Sequence, residues 1–125
     1  MNIIKSIKNK INILRHQPTW KKHKTIFIHI PKAAGVSVNK AIYGKTLGHY
    51  YASELKTLIP STFNELFTFS VVRHPIERLL SAYTFAKSGG TDIMRMHNEN
   101  FYRENENFIT FESFVLNWLS LQNLQ

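Results

Sequence analysis

The chain of 125 residues is long enough for one small domain with a hydrophobic core, because 43% of its residues are hydrophobic and 13% are aromatic. It contains no cysteine, which excludes a disulfide framework, a thiolate metal site and a cysteine nucleophile. No apolar run reaches the ~20 residues of a membrane-spanning helix, and the N-terminus lacks a secretory signal pattern. We therefore expect a soluble, cytoplasmic chain.

The net charge of +8 is concentrated in one half of the chain. Residues 1–53 contain ten Lys or Arg and no acidic residue, since the first acid is Glu54. An all-positive half suggests an anionic partner, such as a phosphorylated ligand, a nucleic acid or an acidic membrane surface. A solvated basic face without a partner fits the charge equally well.

Residues 1–17 predict a basic amphipathic helix that ends at Pro18. The apolar positions at helical spacing are Ile3, Ile4, Ile7, Ile11 and Leu14. Their face either docks on a core or lies on an anionic membrane, and the sequence leaves both open. We accordingly divide the chain into an N-terminal helix over residues 1–20 and a second part over residues 21–125.

The next segment predicts a strand, a tight turn and a helix. Thr25–Ile30, "TIFIHI", is a short apolar run rich in β-branched residues that ends at Pro31, as a buried strand does. Val36–Tyr43 then has helical spacing, and Gly44 is a suitable stop.

The following segments repeat this order. Tyr50–Ile59 predicts a helix closed by Pro60, and Phe67–Val72, "FTFSVV", predicts a second strand. A helix is then expected from Pro75 to Gly89.

The last part of the chain is more polar. From Thr91 we expect a flexible loop, after which Thr110 caps a final helix, "FESFVLNWLSLQNL". Because two strands rarely form an independently stable sheet, we expect an α/β sheet that is incomplete within these residues. A complete small α+β domain is the alternative.

The turn after the first strand has features that favour the binding of an anion. Its small residues let backbone N–H groups approach a ligand closely, and the helix that follows adds its partial positive end. Lys32 supplies a full charge and Ser37 a hydroxyl. Lysine precedes glycine here, which is the wrong order for a Walker A loop, so an ATPase or a small-molecule kinase is disfavoured. A plain turn with an exposed lysine remains the alternative.

The turn after the second strand offers guanidinium groups. Arg73 lies at the strand exit, and Arg78 and Ser81 stand three residues apart, on one helix face. A guanidinium and a hydroxyl together can hold a phosphate monoester. Arg78 can instead pair with a carboxylate, which is the more common role of a single arginine.

Together, "HIPKAAGVSV" and "FSVVRHPIERLLSAY" resemble the two cofactor-binding signatures of sulfotransferases that use 3′-phosphoadenylyl sulfate (PAPS), in the branch that includes carbohydrate sulfotransferases. The resemblance covers Thr25–Lys87 and returns at "FITFESFVLNWL". It implies a P-loop-NTPase-like three-layer α/β sandwich with a parallel sheet. It also implies transfer of a sulfuryl group from PAPS to a hydroxyl acceptor, most plausibly a glycan.

The resemblance also implies roles for individual residues. Lys32 matches the lysine that contacts the oxygen between phosphate and sulfuryl group. Arg73 and Ser81 match the pair that holds the 3′-phosphate, and Arg78 matches a recurrent arginine of that motif. The remaining positions of the 5′-phosphosulfate loop are Ala33, Ala34, Gly35, Val36, Ser37 and Val38, where the alanines and Val36 replace the threonine and glycine residues often found in the family.

The acceptor hydroxyl needs a base, and histidine suits that role near neutral pH. His49 is the best candidate, because it precedes a helix between the two signatures as the base of some relatives does. Glu54 is the alternative, since other branches use glutamate. His29, on a strand, is expected in the core or behind the site, and His74 at the start of its helix.

The histidines have no close metal-ligand spacing, so we expect no metal site. A function from a different class stays open, namely a basic module whose N-terminal helix binds membrane or nucleic acid while the signatures are vestigial. No specific nucleic-acid contact is expected if the chain is the enzyme.

Overall fold

The computed structural model describes residues 3–91 and 94–122. It divides into two compact units, Met1–Val72 and Arg73–Gln125, and each is described by itself. The elements of the first unit are α1 (Ile3–His23), β1 (Thr25–Ile28), α2 (Gly35–Tyr43), α3 (Ala52–Leu58), α4 (Pro60–Glu65) and β2 (Phe67–Ser70).

The two strands pair in parallel. Thr25 lies opposite Phe67 and Ile28 opposite Ser70, so both strands end at the same edge of the sheet. The Ser70 hydroxyl donates a 2.8 Å hydrogen bond to the Ile28 carbonyl at that edge. Both predicted strands are confirmed at their first residue and end two residues earlier than predicted.

Helix α1 passes through Pro18, and the predicted end at this residue is wrong. Pro18 cannot donate to the carbonyl of Leu14, but both residues are exposed, so water can bond that carbonyl. Beyond the proline, Trp20 is buried in the core. Gln17 donates a 2.6 Å hydrogen bond to the Thr62 hydroxyl. These contacts outweigh the local cost of the proline.

The face of α1 that packs on the core is not the face with the regular apolar spacing, so of the two possibilities left open, docking of that face on the core does not occur for Ile7, Ile11 and Leu14. Ile7, Ile11 and Leu14 are 52%, 51% and 54% exposed. The helix docks instead through Ile13 and Trp20, which are fully buried and seven residues apart on one face. The more regular apolar stripe of the sequence is therefore the outer face.

Helix α2 confirms its prediction within one residue and ends at Gly44, which adopts φ 71°. Its last residue, Tyr43, completes the hydrogen bonding of β1. The Tyr43 hydroxyl accepts from the Phe27 N–H and donates to the Thr25 carbonyl, each at 2.9 Å. Burial raises the pKa of Tyr43, with the Phe27 hydrogen bond acting in the opposite direction, so the hydroxyl keeps its proton.

The predicted helix over Tyr50–Ile59 is confirmed in a shorter form, as α3. Pro60 does end it, but Pro60 also occupies the first turn of α4, which was not predicted. The core beneath these helices contains Ile13, Trp20, Ile26, Phe27, Tyr43, Leu47, Leu55 and Ile59.

The second unit begins with α5 (Pro75–Lys87), as predicted. The loop expected from Thr91 is partly wrong, because it contains α6 (Glu99–Glu104) and a 3-10 turn, Glu106–Phe108. Thr110 caps α7 (Phe111–Ser113) as predicted, by accepting from the Ser113 N–H. The chain continues as a π-helix, Phe114–Trp118, and a 3-10 turn, Leu119–Leu121.

An aromatic cluster forms the core of this unit: Tyr83, Phe108 and Phe114 are buried, and Trp118 packs against them. The Tyr83 hydroxyl bonds the carbonyls of Phe108 and Ile109, at 3.0 and 3.2 Å. The aromatic residues of the polar-looking segment therefore hold it against α5. The described chain is thus of mixed helix and strand class with a small parallel sheet.

Replacing Tyr43 by Phe should lower the free energy of unfolding by about 1 to 3 kcal/mol, because the buried Phe27 N–H loses its acceptor. Urea unfolding monitored by circular dichroism measures this change. Tyr51→Phe is the matched control, since Tyr51 is 77% exposed. Equal effects of the two substitutions would contradict the assigned role of the Tyr43 hydroxyl.

Candidate functional site

The loop between β1 and α2 has an unusual backbone. Lys32 and Ala34 adopt φ 63° and φ 60°, in the left-handed region that non-glycine residues avoid. Each such residue costs on the order of 1 kcal/mol or more, which the surrounding structure must offset. Strain of this kind concentrates at ligand-binding loops, so the loop is a candidate site on conformation as well as on sequence.

The start of α2 is open to an anion. No side chain caps it, so the first backbone N–H groups of the helix have no side-chain acceptor. Ala33 is buried, Lys32 is half-buried and Ser37 is exposed on the first turn. A helix start of this kind, beside a lysine, carries the charge and the donors that bind phosphate or sulfate groups.

Gly35 is required because the His29 ring occupies the space of a side chain. A Cβ at Gly35 would lie 1.8 Å from Cδ2 and 2.0 Å from Nε2 of His29. The strand end and the helix start thus touch directly, with no side chain between them. Glycine at this position serves close packing, which the sequence alone did not reveal.

Asn39 connects the ring of His29 to the helix. Its Nδ2 donates to the Gly35 carbonyl at 2.8 Å and lies 3.3 Å from Nδ1 of His29. Asn39 and His29 are both buried. Burial lowers the pKa of His29, and the neighbouring His49 lowers it further. His29 is therefore held as a neutral imidazole.

His49 lies against His29. The two ring centroids are 3.9 Å apart, and Nδ1 of His49 is 3.2 Å from the His29 carbonyl oxygen. The His49 side chain is exposed. An exposed imidazole fixed by one nitrogen can exchange a proton at the other.

Glu54, the alternative base, has a structural partner. Its Oε2 accepts a 2.9 Å hydrogen bond from the Tyr51 N–H at the start of α3. This contact is half of a capping box, a common task of a glutamate three residues into a helix. The geometry favours His49 over Glu54 for the base.

The charged residues of the second signature lie in the second unit, at the start of α5. Arg73 Nε forms a 3.3 Å ion pair with Glu77 Oε2, and both side chains are exposed. Arg78 is exposed and Ser81 half-buried, three residues apart on α5 as predicted. His74 precedes the first turn of α5, as expected.

Among residues 3–91 and 94–122, no group of three or more His, Asp or Glu side chains is arranged to hold a metal ion. Nor is any helix in this part of the chain both long and apolar enough to cross a membrane. These findings concern the described residues alone.

Fold and site together define a mixed α/β protein whose first strand leads into a strained, lysine-bearing loop and an uncapped helix start. The model of the sulfotransferase family matches residues 15–122. The chain therefore belongs to the sulfotransferase family, and the resemblance noted in the sequence is confirmed at that level. Comparisons with curated proteins and with solved structures returned no match.

Sequence reasoning missed Asn39 altogether and did not connect His29 with His49. Asn39 was passed over because a single asparagine inside a helix carries no motif. One signal was available, since Asn39 lies four residues after Gly35 and so shares its helix face. The contact between the two histidines had no sequence signal, because twenty residues separate them.

Acid should destabilise the fold. Burial lowers the pKa of His16 and of His29 in the folded chain, so the unfolded chain binds more protons once the pH falls below about 6.5. The free energy of unfolding should decrease as pH falls through this range and level off below the lowered pKa values. Urea unfolding at several pH values between about 7.5 and 5 measures the slope.

His29→Gln serves as the comparison, because it removes one of the two histidines whose pKa is lowered by burial and should give a shallower slope. An unchanged free energy of unfolding across this range in the wild-type chain would contradict the assigned burial of both rings.

Proposed function

We propose that the chain is a PAPS-dependent sulfotransferase that transfers a sulfuryl group to a hydroxyl acceptor, most plausibly a carbohydrate. Membership in the sulfotransferase family supports sulfuryl transfer and a hydroxyl-bearing acceptor in general. The observation that carries the specific proposal is the uncapped start of α2 beside Lys32, in the loop that resembles the 5′-phosphosulfate signature. We extend the proposal to a P-loop-like three-layer sandwich and a cytoplasmic location.

The loop residues would hold the 5′-phosphosulfate. Backbone N–H groups of Gly35, Val36 and Ser37 offer donors, and each charge-assisted hydrogen bond contributes about 1.5 to 3 kcal/mol. The N–H of Val38, the last position of the proposed loop, donates to the Ala34 carbonyl at 3.1 Å and closes the first turn of the helix. Ala33 and Ala34 have no hydroxyl, so the backbone carries most of this binding. PAPS supplies the activated sulfuryl group, and negative charge grows on its phosphate as the group leaves. The ammonium of Lys32 would stabilise that charge.

Residues of the second signature would hold the 3′-phosphate. The ion pair with Glu77 engages Nε of Arg73, and a guanidinium has further N–H donors on its two terminal nitrogens. The pairing would orient the arginine while those donors bind phosphate. Ser81 adds a hydroxyl, and Arg78 is proposed as an additional cation of the same subsite.

His49 is the proposed general base. It would accept the proton of the acceptor hydroxyl as the oxygen attacks sulfur, and a base of this kind contributes typically about 10²- to 10⁴-fold to the rate. No step of this scheme requires a metal ion.

Binding of 3′-phosphoadenosine 5′-phosphate (PAP), measured by titration calorimetry, tests the cofactor assignment. Lys32→Ala and Arg73→Ala should each raise the dissociation constant for PAP about tenfold or more, because each removes a charge-assisted contact. Lys56→Ala is the matched control, an exposed lysine on α3 outside both signatures, and should leave affinity unchanged.

Failure of the wild-type chain to bind PAP would reject the proposal, and so would equal affinities in all four proteins. For the base, His49→Ala should keep PAP affinity and reduce turnover by about 10²-fold or more. Full turnover in that variant would remove His49 from the mechanism.

A second function, peripheral membrane binding through α1, is favoured by its exposed stripe. Ile7, Ile11 and Leu14 lie on the outer face of the helix. Successive residues of an α-helix are rotated by about 100°. At this rotation, exposed cations lie on both sides of the stripe: Lys8 and Arg15 on one side, Lys10 and Lys21 on the other. An aliphatic stripe bordered by cations is typical of helices that lie in an anionic interface, whereas nucleic acid offers nothing to an aliphatic stripe.

Flotation with phosphatidylserine-containing vesicles tests this second function. The wild-type chain should float with anionic vesicles and not with pure phosphatidylcholine, since each cation near an anionic surface contributes about 1 kcal/mol. Serine at Ile7, Ile11 and Leu14 together should abolish flotation. Substitution is preferable to deletion of residues 1–17, because Ile13 belongs to the core.

Leu121→Ser is the control, since Leu121 is 80% exposed but lies outside α1. Flotation that survives the triple substitution, or salt-sensitive binding to a polynucleotide in place of vesicles, would contradict a membrane role for the stripe.

A further inference from the structure

We propose that His29 is a positioning residue for His49, and that Asn39 holds His29 in the form that this role needs. The inference rests on the proposed function, in which His49 is the base, and adds two residues that neither signature assigns. Its evidence is the chain of contacts from α2 through Asn39 and His29 to His49.

The carbonyl of His29 selects the tautomer of His49. A carbonyl oxygen can only accept, so the 3.2 Å contact with His49 places the proton of the neutral ring on Nδ1. The other nitrogen, Nε2, then carries a lone pair. An imidazole in this form can accept a proton at Nε2, which is the form that a general base requires.

Asn39 selects the opposite tautomer of His29. The Nδ2 group of Asn39 is a donor, and the Gly35 carbonyl takes one of its two protons. The other proton points to Nδ1 of His29 at 3.3 Å, so this nitrogen accepts and the ring proton lies on Nε2. Protonating Nδ1 would break this contact, which together with burial keeps the His29 ring neutral.

The neutral ring of His29 packs against the ring of His49, the proposed base. Its centroid lies 3.9 Å from that of His49, with 36° between the ring planes. The His29 ring also contacts the backbone of Gly35. An exposed side chain such as His49 would otherwise sample several rotamers. His29 thus fixes the base relative to the start of α2, where the phosphosulfate group is proposed to bind.

The reaction step makes the neutral state of His29 important. The acceptor O–H bond breaks and its proton passes to Nε2 of His49, while the acceptor oxygen forms a bond to sulfur. The bond between sulfur and the bridging oxygen breaks, and its electron pair leaves with the phosphate. His49 becomes a cation in this step, and a charged His29 at ring-stacking distance would oppose it.

Long-range ¹H–¹⁵N NMR of the imidazole rings tests the tautomers without cofactor or turnover. In their neutral forms, His49 should carry its proton on Nδ1 and His29 on Nε2. Exposed His97 provides an internal reference for an imidazole that is not a member of the proposed pair. A proton on Nε2 of His49 would overturn the proposal, because that nitrogen could not act as the base.

A double-mutant cycle tests whether His29 acts through His49. His29→Gln should lower kcat on the order of ten- to hundredfold, since a displaced catalytic group costs this much. In the His49→Ala background the same substitution should have no further effect on kcat. Additive losses would overturn the positioning role and leave His29 as a structural residue.

His97→Gln is the matched control and should leave kcat unchanged. PAP affinity, measured for every variant, separates the two proposals. A wild-type chain that fails to bind PAP rejects the proposed function. The tautomers in the NMR spectrum test the arrangement of Asn39, His29 and His49 separately, whether or not PAP binds. If His29→Gln does not fold, the NMR result alone decides.

Discussion

The absence of a side chain at Gly35 is the constraint on which the candidate site depends. Because nothing separates the helix start from the strand end, the His29 ring packs directly on α2. His29 also lies beside Asn39 and His49. In the loop between His29 and Gly35, Lys32 and Ala34 adopt left-handed conformations. The strain is local, whereas the interactions that offset it belong to the core beneath β1 and α2.

In helix α1, tertiary packing buries a different face from the one whose apolar residues have the most regular spacing in the sequence. The aliphatic residues with the most regular spacing remain outside, and the helix is held by Ile13 and Trp20. Packing of this second face also carries the helix past Pro18, which local rules predict to be its end. Because Pro18 lies on the exposed side, the Leu14 carbonyl that loses its donor is accessible to water, which reduces the cost of the proline.

The distribution of acidic residues along the chain determines which basic residues can find a carboxylate nearby in the sequence. Because no acidic residue precedes Glu54, no carboxylate from residues 1–53 can neutralise the loop around Lys32. Glu54 itself is engaged at the start of α3. In the second unit, Arg73 has a carboxylate partner in Glu77, which orients its guanidinium without burying it. The second signature thus contains an ion pair of its own, in which Glu77 offsets part of the charge of Arg73.

The sequence by itself determined the first residues of β1 and β2, the end of α2 at Tyr43 and the start of α5 at Pro75. It also determined membership in the sulfotransferase family, through its two signatures. Those features depend on local signals such as strand periodicity, Gly44 and Pro75, which act within a few residues. Only the tertiary structure decided the buried face of α1, the helical state of the segment around Tyr102, and the contact between His29 and His49. These depend on packing between residues far apart in the chain, for which a single sequence holds no local signal.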